Sequence, residues 1–226
     1  MRNIQKPLDS AVRNLSDQTY EKSLAYFRFW FRIRQAHSRI PSDLIFNTII
    51  ANRATPSTLH FNSIYPAAHS ILRLINDAES DPVLAPHTTG LRSRFCARIL
   101  QQFFDDDLSL VYDDPAASAD DTPCPEDSFY VDTNLIAHCV NLGYIEEDTI
   151  RNHILQSLIS HTKAHRHQIV ALSILFKIAG ATFGAYVDPA VVDRCFELLK
   201  NHQFSRKARV ALKQVSIFSV RKCSRN

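Results

Sequence analysis

Four histidines crowd the C-terminal half of the chain: His153, His161, His165 and His167. His161 and His165 stand four residues apart, the spacing at which two imidazoles on one helical turn share a metal ion. The surrounding apolar pattern instead sets them across a turn between two helices, and no cysteine or carboxylate follows at ligand spacing. We read them as solvated turn histidines, a residue type that unperturbed titrates at about pH 6.5, and assign no metal. Asp105-Asp106-Asp107 and Asp113-Asp114 have the ligand chemistry for Mg²⁺ or Ca²⁺, but such carboxylates need rigid support and these fall in a segment that reads as a linker. His138 and Cys139 could suggest a base and a nucleophile, yet neighbours on a helix point about 100° apart. Cys139 reads as a small apolar core residue. Neither GxSxG, a P-loop nor HExxH occurs. No catalytic residue and no cofactor is assigned, so the chain reads as non-catalytic.

Binding chemistry is concentrated at the C-terminus. Arg206, Lys207, Arg209, Lys213, Arg221, Lys222 and Arg225 follow one another with no acid after Glu197. On a helix, Arg206, Arg209 and Lys213 share a face roughly opposite Val210, Val215 and Phe218. That face could hold acidic protein segments, nucleic-acid phosphates or anionic lipid, or could simply keep the last helix solvated. The first six of these cations are the candidate partner-binding residues. Aromatic side chains are sparse there, which disfavours single-strand recognition. Nearer the N-terminus, Arg28, Arg32, Arg34 and Arg39 interleave with Phe27, Phe29, Trp30 and Phe31. Such a mixture can lie on a membrane or stack on bases, but aromatics at helical spacing more often face a core, with arginine stems along their edges; we read them as core.

What positions these residues is legible in the composition. The 226 residues include only four glycines, too few for phosphate-cradling loops or many hairpins, and this points to helices. Five cysteines without a CxxC pair, and no apolar signal segment at the start, indicate reduced thiols and an intracellular protein, cytoplasmic or nuclear. Charge is strongly partitioned. Lys and Arg outnumber Asp and Glu by 8 to 3 over residues 1–40 and by 13 to 3 over 151–226, whereas 105–150 holds 13 acids and no base. Within it, residues 105–128 carry nine acids and three prolines, a composition that buries too little apolar surface to order itself. We expect an acidic flexible linker there, between an N-terminal helical block at 1–104 and a C-terminal one at 129–226. An ordered loop laid over a basic face is the alternative.

Apolar periodicity predicts the helices. Ser16 and Thr19 open one running to about His37 with Leu24, Phe27 and Phe31 on its apolar side, buried around most of its girth. Pro41-Ser42-Asp43 starts a short helix carrying Leu44, Ile45, Ile49 and Ile50. Ala68, Ile71, Leu72 and Ile75 stripe a third, ending near Glu79; after a loop at 81–86, Leu91, Phe95, Ile99 and Phe103 stripe a fourth, over about 89–104. A helix from Thr133 to Leu142 closes at Gly143, where a left-handed residue is needed. The apolar run 169–187 contains a GxxxG pair, Gly180 and Gly184, but Lys177 near its centre favours a buried core helix over a membrane span.

An internal repeat with an offset of 40 residues organises the C-terminal block. Asp148 matches Asp188, Leu158-Ile159 matches Leu198-Leu199, Arg166 matches Arg206, and Val170-Ala171-Leu172 recurs as Val210-Ala211-Leu212. Each copy predicts two helices joined by a short turn: 148–161 with 165–184, then 189–201 with 205–221. Residues 130–222 thus resemble the armadillo and HEAT class of helical repeats. The resemblance implies an all-α fold of stacked helical hairpins, solenoid-like, and the partner-binding role such surfaces serve. We therefore expect a non-catalytic adaptor or complex subunit that binds a partner protein, possessing no membrane span; the alternative is a nucleic-acid-associated protein using the basic C-terminal face.

Overall fold

The computed structural model describes residues 5–35, 44–52, 66–112, 125–159 and 166–186, with 190, 193, 194 and 197. Among them the chain is all helical, with eight helices and no strand. It divides into two units, Met1–Leu59 with Tyr65–Arg98, and His60–Ile64 with Ile99–Asn226.

The first unit begins with a helix that the apolar pattern did not predict, α1 (Gln5–Arg13). Pro7 lies in its first turn, where a missing N–H costs no helical hydrogen bond. Leu8 and Val12, four apart, bury its inner face. Ser16 and Thr19 then exchange side-chain and backbone hydrogen bonds, among them Ser16 N–H to Thr19 Oγ1 at 2.9 Å, and turn the chain into α2 (Tyr20–Gln35). α2 buries Tyr20, Leu24, Phe27 and Phe31. α3 (Leu44–Asn52) packs on α1 and buries Ile45 and Ile49. α4 (Pro66–Ser80) packs on α2 and buries the expected stripe of Ala68, Ile71, Leu72 and Ile75.

Polar ties register these helices. Asn52 joins α3 to α1 by accepting from Arg13 Nε at 2.6 Å and donating to Asp9 at 2.9 Å. The Tyr20 hydroxyl donates to Asp77 at 2.6 Å while Arg73 lies 3.9 Å over its ring. Burial, and then the adjacent carboxylate of Asp77, push the Tyr20 phenol well above its usual range. Asp81 ends α4 by accepting from the backbone of Val83 and Leu84 and from Arg28. Burial opposes its charge, but these donors outweigh it and hold the carboxyl below the usual range. A 3₁₀ turn, Ala85–His87, follows and overlaps the end of the loop expected at 81–86.

α5 (Leu91–Tyr112) buries Leu91, Phe95, Ile99 and Phe103 as predicted, but it does not stop near 104. Asp105, Asp106 and Asp107 continue the helix, so the expected linker is helical from 105 to 112; its remainder to 124 lies outside the described residues. α6 (Pro125–Asn141) starts two turns before the predicted Thr133, with Pro125 at the first helical position. It ends as expected: Gly143 has φ 67°, and the Tyr144 and Gly143 amides close back on Cys139 and Val140 at 2.9 and 3.1 Å.

α7 covers 147–159 and includes a π-helical stretch, Ile150–Leu155. α8 (Arg166–Tyr186) packs along α6 and against the last turn of α7. Phe129 meets His167 near the start of α6 and α8, while Asn141 donates to the Ile178 carbonyl at 2.7 Å and accepts from Thr182 at 2.8 Å near their ends. α6 and α8 therefore run parallel. The two helices predicted for the first repeat copy are present as α7 and α8; those of the second, apart from four residues, lie outside the described residues.

At Gly143 conformation alone decides the residue, because a Cβ there meets nothing within 4 Å. Gly143→Ala is expected to destabilise the second unit by about 1 kcal/mol, the cost of a left-handed residue with a side chain. A urea titration followed by circular dichroism measures it; Gly143→Asn should cost less, since asparagine tolerates this region.

Candidate functional site

The apolar stripe of α5 advances in steps of four, Leu91, Phe95, Ile99, Phe103, and its next member is Asp107. A carboxylate is thereby placed where a core residue is due, and its side chain is 4% exposed. Three side chains answer it. His167 Nε2 lies 2.9 Å from Oδ1, the Ser157 hydroxyl donates to Oδ2 at 2.7 Å, and the Gln168 amide donates to Oδ1 at 3.1 Å. Since an ionised carboxylate only accepts, the His167 Nε2 must carry a proton. The Phe129 ring closes the arrangement, stacked on Phe103 at 4.9 Å and meeting the His167 ring edge-on at 5.3 Å.

Burial raises the cost of charge on Asp107, but the hydrogen bonds from His167, Ser157 and Gln168 and the adjacent imidazole outweigh it and hold the carboxyl below its usual range. Serine, histidine and aspartate together suggest acyl-transfer chemistry, yet their order decides against it. In a nucleophilic triad the imidazole stands between hydroxyl and carboxylate. Here the carboxylate stands in the middle and the Ser157 hydroxyl is committed to it. The arrangement holds a negative charge inside the unit and ties α5, α7 and α8 to one point.

This corrects two expectations. His167 is not a solvated turn histidine: it sits at the start of α8, 4% exposed. Asp107 is not a linker acid, because donors from two other helices offset its desolvation. Of the other histidines, His153 is exposed on α7, and His161 and His165 lie outside the described residues. So do Asp113 and Asp114, and all the basic candidates, Arg206, Lys207, Arg209, Lys213, Arg221 and Lys222. Among the described residues no group of three His, Cys, Asp or Glu is placed to hold a metal ion. Cys139 is buried as expected, and a Cβ on Gly180 would meet nothing within 4 Å, so no close helix approach uses that glycine. Among the described residues, no helix is long and apolar enough to cross a membrane.

A second site lies on α2. Its aromatics divide by face: Phe27 and Phe31 are buried, while Phe29, two residues from each, is 56% exposed. Tyr26 and Trp30 are half-buried beside it, and the Trp30 ring meets Tyr26 and Phe29 edge-on at 6.0 and 6.3 Å. The expectation that these aromatics are all core is therefore corrected at Phe29. The residue spacing carried the signal, since positions 27 and 29 point about 160° apart on a helix.

No family model, curated protein or solved structure matches this chain.

Asp107→Asn is expected to lower stability by about 3 kcal/mol at neutral pH, because it disrupts a buried charge network. The Asp107 carboxyl has a folded value below its ordinary 3.8, so its contribution is present above that pH and fades as pH falls through the folded value. Urea midpoints of wild type and Asp107→Asn should therefore differ widely at pH 7 and converge under acid.

Proposed function

We propose that the chain is a non-catalytic helical adaptor or complex subunit that binds a partner protein through its helix surfaces. The observation that carries this reading is the exposed Phe29 ring, set between Tyr26 and Trp30 with Arg28 and Arg32 nearby. Aromatic residues beside arginine are the side chains that contribute most at protein interfaces. The polar groups with the most chemical potential, Asp107, His167 and Ser157, are engaged in holding the second unit together. The 40-residue repeat supports a stacked-hairpin, armadillo- or HEAT-like continuation after α8, whose basic residues Arg206, Lys207, Arg209 and Lys213 would engage an acidic segment.

Affinity capture from native lysate at low and high salt, with a variant in which those four cations are replaced by glutamate, tests the reading. We expect a stoichiometric protein that persists at high salt. Recovery of nucleic acid alone, lost with salt and with the four-residue variant, would replace the adaptor with a nucleic-acid-associated protein.

A further inference from the structure

The outward face of α2 combines one exposed ring with charges that are not all answered. On the helix, Lys22 and Phe29 project within about 20° of each other, with Tyr26 about 60° to one side and Arg32 about 60° to the other. Lys22, Phe29 and Arg32 are exposed. The neighbouring cations are occupied: Arg28 is paired with Asp81, and Arg73 with Glu21 at 2.9 Å. Lys22 and Arg32 have no acidic partner among the described residues. The face thus offers an apolar centre flanked by two cations about three helical turns apart.

We propose that this face docks an acidic amphipathic helix of a partner protein, Phe29 entering its apolar stripe and Lys22 and Arg32 meeting its carboxylates. The inference rests on the adaptor reading and names the chemistry of the partner. Charge complementarity selects the acidic occupant: a basic helix would oppose both unanswered cations. A bilayer is the weaker occupant, because interfacial helices immerse a broad apolar face, whereas α2 has committed Leu24, Phe27 and Phe31 to the interior of its own unit and leaves Phe29 outside. Nucleic acid is weaker too, since two free cations neutralise few phosphates.

The test uses the full chain and two labelled amphipathic peptides with the same leucine stripe, one with glutamates and one with lysines on its polar face, in fluorescence anisotropy. The glutamate peptide should bind at least about tenfold tighter than the lysine peptide, Phe29→Ser should weaken it about tenfold, and Lys22→Glu with Arg32→Glu should invert the preference. The substituted positions are exposed, and circular dichroism verifies that the variants fold. Equal binding of the two peptides, or indifference to Phe29→Ser, overturns the proposal; so does binding to phosphatidylserine vesicles or duplex DNA, rather than to the peptide, that Phe29→Ser abolishes. If a partner captured from lysate is retained by Phe29→Ser, the adaptor reading stands and only the α2 site falls.

Discussion

A carboxylate withdrawn from water must be met by donors, or protonated, and Asp107 constrains the second unit through that requirement. α5 brings it inside on the face that also carries Phe103, and its acceptors must then be filled from outside its own helix. α7 supplies Ser157 and α8 supplies His167 and Gln168, so three helices must keep their axial positions for one charge to be tolerated. Apolar packing tolerates sliding better than a set of directional bonds does. Phe103 and Phe129 provide the burial, and Asp107 specifies which residues meet.

The first unit uses the same physics at its helix ends and crossings. Asp81 gathers two backbone amides and Arg28 at the end of α4, Asp77 takes the Tyr20 hydroxyl, and Asn52 joins α3 to α1. Each tie places an acceptor where a helix end or crossing leaves donors to satisfy. With the inner side of α2 so engaged, its outer side keeps Phe29, Lys22 and Arg32 exposed, and there we place partner recognition.

Most helices were legible because their apolar residues recur every three or four positions, and α4 and the first part of α5 bury the predicted stripes. α1 escaped the apolar pattern because its buried stripe is the single pair Leu8 and Val12. Asp107 was hidden by averaging: the acid-rich composition of 105–128 pointed to a linker, while the four-residue step from Phe103 pointed to a buried position. His167 stands two residues before the apolar run of α8, but which distant donors would meet the carboxylate depends on how α7 and α8 pack. Phe29 was obscured in the same way, a count of aromatics outweighing their angular distribution.

Asp107 and His167 act as one energetic unit. A double-mutant cycle on urea stability, with Asp107→Asn, His167→Gln and the double variant, measures this directly. A coupling of about 1–3 kcal/mol is expected, the double variant losing much less than the two single losses combined. Additive losses would show that the two residues stabilise the fold independently, and would contradict it.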